Sequence, residues 1–203
     1  MLKLYCAPVT ISTVVVVTLN EGVHWEPIRV DVKGGEQTRE PYLSLNPKGR
    51  VPVLLTPEGP LSETGAILEY LGETALPHLV PLDPLHRARM REVMYFLAST
   101  MHVNHAHLHR GYRWATAEAS LEDMRAKAPE NMAASAEIME GVVQGPYIFG
   151  QDMTLADPYL YRTVTWLKGD GVDISRFPKL AAFRAQMETR ASVQKAIADG
   201  FFG

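Results

Sequence analysis

A chain of 203 residues is long enough for one large domain or two small ones, each able to bury a core. Its 46% hydrophobic and 21% charged residues are ordinary for a soluble globular protein, and a formal net charge of −3 argues against nucleic acid as a partner. The single cysteine, Cys6, rules out an internal disulfide and is typical of a reducing compartment. No apolar run is long enough to cross a bilayer, and no signal peptide is recognisable, so we expect a cytoplasmic protein.

The first part of the chain alternates between strand and helix signals. Residues 2–6 (LKLYC) alternate in polarity as a short strand does. The next stretch, STVVVVTLNEG, is ambiguous: four consecutive valines favour a strand, whereas its length and the glycine at its end fit a helix. Further strands are predicted at residues 25–32, at residues 53–55 and just before TGAILEYLGE, which has helical spacing.

The character of the sequence changes after a proline-rich segment that begins at Pro77. Strand signals nearly vanish beyond it, and apolar residues recur at helical spacing up to the end of the chain. We therefore predict an α/β domain at residues 1–76, a linker at residues 77–85 and an all-α domain at residues 86–203.

Three stretches carry recognisable motifs in a fixed order. They are NPKGRVPVL (residues 46–54), LSETGAILEYL (residues 61–71) and PYIFGQDMTLADPYLY (residues 146–161). Their order and spacing resemble those of cytosolic glutathione transferases along essentially the whole chain, and most of all those of the bacterial beta-like subclass. The resemblance implies a thioredoxin-like domain that binds glutathione, a helical domain with the electrophile site, and a homodimer.

The RVPVL stretch places a proline at the start of a strand, where it removes no ladder hydrogen bond. The resemblance implies that the Val51–Pro52 peptide bond is cis and that the Val51 backbone pairs with the cysteinyl part of glutathione. Arg50 is a candidate to hold the glycine carboxylate of glutathione, because its planar guanidinium can pair bidentately. The alternative is that Lys48 and Arg50 are ordinary solvated cations.

Glu63 and Thr64 directly precede the predicted helix of the second motif. Free N–H groups at a helix start attract carboxylates. We expect Thr64 to bind the γ-glutamyl carboxylate of glutathione and Glu63 to help position the γ-glutamyl group. The alternative is a capped helix with a solvated glutamate.

Thr154 and Asp157, in the third motif, have the spacing of a capping box. We interpret this pair as structural.

Four of the seven histidines lie in MHVNHAHLHRGYRW. On a helix, His102, His105 and His109 share one face, and His107 points elsewhere. Zinc sites use histidines at i and i+4, as His105 and His109 are. However, no carboxylate or cysteine lies nearby in the sequence, so we predict no metal.

The resemblance implies a different role for one of these histidines. His102 has the position of a histidine that lines the active site of beta-like enzymes, and Trp166 matches a tryptophan of the same site. Together with Tyr112 or Trp114, they are predicted to form an apolar pocket for the electrophile.

Glutathione transfer needs the thiolate, which is the nucleophile. A free thiol with a pKa of about 8.5 is only slightly ionised near pH 7, so hydrogen bonds have to stabilise S⁻. The turn after the first strand is expected to supply them, with Thr10 as the first candidate and Ser12 as the second. The cysteine that beta-like enzymes carry in this turn is absent, and Cys6 is interpreted as a small buried hydrophobe.

The predicted function is conjugation of the glutathione thiolate to small hydrophobic electrophiles, with glutathione as co-substrate. Two alternatives stay open on the sequence. One is a glutathione-dependent thiol–disulfide reductase or peroxidase, and the other is a non-enzymatic glutathione-binding protein that has lost thiol activation.

Overall fold

The computed structural model describes residues 1–202, which form two compact units. The first unit contains residues 1–80 and the C-terminal segment from residue 188, and the second contains residues 81–187. The strands are β1 (Leu2–Cys6), β2 (Trp25–Arg29), β3 (Val53–Thr56) and β4 (Gly59–Ser62). The α-helices are α1 (Ser12–Leu19), α2 (Tyr42–Leu45), α3 (Thr64–Thr74), α4 (Pro84–Phe96), α5 (His102–Arg110), α6 (Glu118–Val142), α7 (Ala156–Trp166), α8 (Pro178–Glu188) and α9 (Ala191–Ala198).

The strands of the first unit form one mixed sheet with the order β2-β1-β3-β4. β1 and β2 are parallel, whereas β3 runs antiparallel to both of its neighbours. The parallel strands β1 and β2 are joined by the crossover helix α1, and the antiparallel strands β3 and β4 by a short turn, as chain connectivity requires. This arrangement confirms the predicted thioredoxin-like domain followed by a helical domain.

The ambiguous valine-rich stretch is helical. Every residue of α1 is buried, and the helix contacts β1, α3 and α9. A helix that is covered on all sides needs apolar residues all round, which explains why it shows no amphipathic spacing. Burial in the tertiary structure therefore makes this segment helical, although its consecutive valines favour a strand.

The C-terminal segment from residue 188 packs on the first unit. The carboxylate of Glu21 accepts hydrogen bonds from Arg190 and Ser192, and the Asn20 side chain donates to the Ser192 carbonyl over 3.1 Å. The predicted last helix is accordingly split into α8 and α9, because the backbone at Arg190 is extended (φ −72°, ψ 136°).

The second unit consists of helices. α4 continues through a π-helical turn at Leu97–Met101 into α5, so His102 lies directly after a turn that changes the helical register. Among the described residues, no helix combines the length and the hydrophobicity needed to cross a membrane.

Thr154 and Asp157 pair at the start of α7 as the sequence predicts, but only half of the capping box is present, because the Thr154 hydroxyl donates to the Asp157 carboxylate and does not cap the Asp157 N–H. Asp157 is fully buried, and its Oδ2 accepts hydrogen bonds from the Thr154 backbone N–H (2.6 Å) and hydroxyl (2.8 Å). Its Oδ1 accepts a further bond from the Ile148 N–H at 2.8 Å. The pair is therefore structural and joins the preceding loop to the helix.

Candidate functional site

One end of the sheet brings three sequence-predicted segments together. β1 runs antiparallel to β3 with Tyr5 opposite Val53, so the chain leaving β1 passes the residues that precede β3. β4 ends at Ser62, opposite Val53, and α3 begins immediately afterwards. The turn with Thr10, the Val51–Pro52 bond and the start of α3 therefore share this end of the sheet.

The loop before β3 is organised by a buried asparagine. The Asn46 side chain donates to the Arg50 carbonyl at 2.7 Å and accepts from the Lys48 N–H at 3.3 Å. Tyr42 donates its hydroxyl to the same Arg50 carbonyl at 2.8 Å, and burial raises the pKa of Tyr42 to about 12, which keeps that proton in place. These bonds fix the backbone directly before Val51.

The Val51–Pro52 peptide bond is cis, as the resemblance implies. Pro52 is buried and Val51 half-buried, and the Val51 side chain packs against the cluster that contains Tyr42. The Arg50 side chain is exposed, and its guanidinium has no hydrogen-bond or ion-pair partner within residues 1–202.

The start of α3 has an unusual backbone. Glu63 adopts φ 76° and ψ 123°, a conformation that is costly for a residue other than glycine, and its side chain does not cap the helix. Instead, its carboxylate pairs with Lys48 over 2.7 Å. Thr64, the first helical residue, is only 6% exposed. The first N–H groups of α3 thus have no side-chain cap, which suits a carboxylate ligand.

The turn after β1 holds the other strained residue. Among the described residues, Val9 and Glu63 are the two non-glycine residues with positive φ, and Val9 is β-branched, which makes its φ of 61° a genuine outlier. The Val9 N–H donates to the Phe201 carbonyl at 2.9 Å. The C-terminal segment therefore helps to hold the conformation of this turn.

Thr10 and Ser12 share a hydrogen-bond network in this turn. The two hydroxyl oxygens are 2.7 Å apart, and both lie within donating distance of the Ala7 carbonyl, at 2.8 Å for Thr10 and 3.0 Å for Ser12. The Ser12 oxygen also accepts from the Ala7 N–H at 3.0 Å, and its side chain is fully buried. Ser12 therefore stabilises the turn, and of the two hydroxyls that of the half-buried Thr10 is the more accessible.

The proton count of this network leaves one donor available. Thr10, Ser12 and the Ala7 carbonyl make three oxygen–oxygen contacts, but the two hydroxyls have only two protons to donate. If Ser12 donates to the Ala7 carbonyl, Thr10 is free to direct its own proton to a ligand without leaving a buried carbonyl unpaired.

Cys6 lies at the end of β1 and is completely buried. Burial raises the pKa of its thiol to about 12, and the partial compensation by the positive charge of Arg29 is smaller. A thiol that stays protonated at neutral pH is a poor nucleophile. Its environment supports the interpretation of Cys6 as a core residue.

In the second unit, the predicted electrophile-pocket residues are only partly brought together. The rings of His102 and Trp166 are 5.1 Å apart, and Arg162 lies over the Trp166 ring at 5.2 Å. Burial lowers the pKa of Arg162 to about 10, so the guanidinium remains charged at neutral pH. Tyr112 is 65% exposed, and no ring contact joins it to this group among the described residues.

The shared histidine face of α5 is confirmed. His105 stacks on Trp166 with ring centroids 4.0 Å apart, and its Nδ1 lies 2.9 Å from both carboxylate oxygens of Asp170. His109 Nε2 is 3.4 Å from Asp170 Oδ1. His107 points away from this group and contacts Trp114.

Sequence reasoning missed Asp170 and Asn46. Asp170 is separated from His105 by the whole of α6 and α7, and nothing in the local sequence connects the two. Asn46 could have been recognised, because asparagine at the start of a turn commonly bonds its own backbone.

The sequence profiles of known families match both parts of the chain. The glutathione S-transferase N-terminal domain matches residues 2–73, and the glutathione S-transferase C-terminal domain matches residues 109–200.

Two relatives match most of the chain. Glutathione S-transferase GstA of Escherichia coli O157:H7 is 28% identical and covers 97% of both chains. Maleylacetoacetate isomerase of Pseudomonas aeruginosa is 34% identical over 76% of this chain and 74% of its own length.

Solved structures show the same architecture. A glutathione transferase homologue from Sulfitobacter, with bound glutathione, superimposes with a TM-score of 0.94 at 47% identity and covers 99% of both chains. The beta-class glutathione S-transferase of Sphingomonas chungbukensis gives a TM-score of 0.84 at 25% identity over 98% of both chains.

Proposed function

The chain belongs to the glutathione S-transferase family, and from this we propose that it transfers the glutathione thiolate to small hydrophobic electrophiles. The sulfur forms a bond to an electrophilic carbon, and the leaving group departs with the electron pair of the broken bond. The proposed reaction uses glutathione as co-substrate and needs no metal ion.

The observation that carries the proposal is the uncapped start of α3 at the end of the sheet that also bears Val51 and Thr10. Thr64 binds the γ-glutamyl carboxylate through its N–H and hydroxyl, and Glu63 pairs with the γ-glutamyl ammonium. The Val51 backbone pairs with the cysteinyl residue, next to Pro52, and the exposed guanidinium of Arg50 binds the glycine carboxylate.

Thr10 donates its hydroxyl proton to the bound sulfur, and Ser12 takes over the bond to the Ala7 carbonyl. A hydrogen bond to a charged group contributes about 1.5–3 kcal/mol, which is enough to lower a thiol pKa by about 1–2 units. His102 and Trp166 contact the electrophile, and Tyr112 borders its entrance. We further propose that the enzyme acts as a cytoplasmic homodimer in detoxification.

Steady-state assays with a chlorodinitrobenzene-type substrate, a mixed disulfide and a hydroperoxide test the reaction class. We expect conjugation to be the fastest. A faster reduction of the disulfide or the peroxide supports the reductase or peroxidase, and tight glutathione binding without any turnover supports the binding protein.

Glutathione binding is tested on the residues at the start of α3. Glu63→Gln and Thr64→Val should each raise the Kd for glutathione about tenfold, since the loss of one such bond costs roughly 1.4 kcal/mol. Glu73→Gln, at an exposed position near the other end of α3, is the matched control and should leave the Kd unchanged. Unchanged binding in both test variants removes these residues from the site.

A second candidate activity is favoured by the 34% identity with maleylacetoacetate isomerase. Reversible addition of the glutathione thiolate to a cis double bond, rotation and elimination would isomerise a small unsaturated diacid and release the thiolate unchanged. A maleyl substrate that is converted to its trans isomer with no consumption of glutathione identifies this activity.

A further inference from the structure

We propose that His105, His109 and Asp170 form a binding site for a divalent transition-metal ion of the zinc type. All three residues belong to the second unit, and their ligand atoms lie within 4.8 Å of one another. The inference does not rest on glutathione chemistry, and it stands if the proposed transferase activity fails.

The donor set fits such an ion. Two imidazole nitrogens and one carboxylate oxygen are typical ligands of zinc and its neighbours, whereas magnesium and calcium prefer oxygen ligands throughout. The sequence offered only the two histidines at i and i+4 of α5. The fold adds Asp170 from the turn that follows α7, and this supplies the carboxylate whose absence nearby in the sequence had argued against a metal.

The two distances between a histidine nitrogen and the Asp170 carboxylate are close to those of a coordination shell. With bonds of about 2.0–2.1 Å, ligand atoms around a tetrahedral zinc ion are roughly 3.3–3.4 Å apart. His109 Nε2 and Asp170 Oδ1 are separated by 3.4 Å, and His105 Nδ1 is 2.9 Å from the same carboxylate. A bound metal ion would replace the proton between His105 and Asp170. The His105 Nδ1 and the carboxylate oxygen would then need to separate by only about 0.4 Å.

The buried carboxylate of Asp170 also favours a bound cation. Its side chain is fully buried, and within the described part of the chain its carboxylate has His105 and His109 as its side-chain partners. A buried carboxylate is costly unless a cation or several donors compensate it. A divalent ion held between the two imidazoles supplies that compensation.

The surroundings suit binding from solution. Stacking on Trp166, with the ring planes only 8° apart, fixes the orientation of the His105 imidazole. The side chain of His109 is 49% exposed, which leaves an entry path and an open position for water. The positive charge of Arg110 acts on His105 and opposes a bound cation, which weakens the binding.

Zinc binding to the full-length chain, without a histidine tag and after removal of metals, provides the test. Competition with a chromophoric chelator should show one Zn²⁺ per chain. His109→Ala and Asp170→Asn should each weaken binding at least about tenfold. His107→Ala, on the same helix but outside the cluster, and His86→Ala, at the exposed pair with Asp83, should leave it unchanged.

His109→Ala changes a half-exposed side chain, so it keeps the test informative if Asp170→Asn fails to fold. A second measurement is the melting temperature, which zinc should raise in the unmodified chain and not in His109→Ala. No stoichiometric binding, or binding that is lost in His107→Ala or His86→Ala and kept in His109→Ala, would overturn the proposal.

Discussion

Single hydroxyl groups decide the chemistry proposed for the turn after β1. Ser12 is buried and bonded to both backbone groups of Ala7, whereas Thr10 is half-buried and shares the same carbonyl. We therefore expect Thr10 to serve catalysis, because Ser12 can replace it as the hydrogen-bond donor to the Ala7 carbonyl.

Thr10→Ala should raise the pKa of the bound glutathione thiol by about 1–2 units, because a donor to S⁻ is removed. At neutral pH kcat/KM should fall about tenfold or more, and the loss should shrink as the pH rises through the new pKa. The measurement is thiolate absorbance against pH in the glutathione complex. A titration that is unchanged in Thr10→Ala and shifted in Ser12→Ala would show that the assignment is wrong.

The buried thiol of Cys6 predicts a pH effect on stability. Burial raises its pKa from an ordinary value of 9.0 to about 12 in the folded protein, so above pH 9 the unfolded chain releases a proton that the folded chain retains. This group should therefore lower the free energy of unfolding between pH 9 and 12, by at most about 1.4 kcal/mol per pH unit. Urea unfolding of Cys6→Ala should lack this contribution, and its conjugation rate at pH 7 should match that of the unmodified chain.

Among the elements, α7 and α1 depend on the sequence in different ways. The start of α7 is encoded locally, since Thr154 and Asp157 bond each other and the adjacent backbone. α1 is a helix because other elements cover it on every side. Its own sequence does not indicate this burial.

Thr154→Ala should cost about 1 kcal/mol of stability and leave conjugation intact. Asp157→Ala should cost more, about 3 kcal/mol, because it leaves several buried donors without an acceptor. Chemical denaturation measures both values. Equal losses would mean that the bonds from the Ile148 and Thr154 N–H groups to Asp157 contribute nothing.

At the scale of the whole molecule, the chain returns to its first unit after the helices of the second. Glu21, Arg190 and Ser192 join α1 to α9, and the Phe201 carbonyl holds the turn at Val9. The C-terminal segment thus supports the strained turn that precedes Thr10.

Glu21→Ala should lower stability by about 2–3 kcal/mol, since Arg190 and Ser192 lose a mostly buried acceptor. Thermal unfolding should show a clearly lower melting temperature, and Glu73→Ala, at an exposed position of α3, serves as the control. If the two variants melt alike, the contact does not stabilise the first unit.

Much of the architecture follows from the sequence alone. The strands, the α3 helix, the side-chain pair at the start of α7 and the shared face of His102, His105 and His109 all depend on spacing within one segment, and local spacing is preserved on folding. The family motifs added the cis bond at Val51, for which the residues themselves also allowed an ordinary turn.

Long-range contacts had to be seen in the tertiary structure. Two of these contacts join segments that are distant in the chain: α9 packs on the first unit, and Asp170 lies beside His105 and His109. The different roles expected of Thr10 and Ser12 follow from their different burial. The free energies of these contacts depend on which groups are removed from water together, and that is a property of the packed molecule. The sequence by itself determined the family and most of the elements, and tertiary packing decided the helical state of α1 and which side chains act as partners.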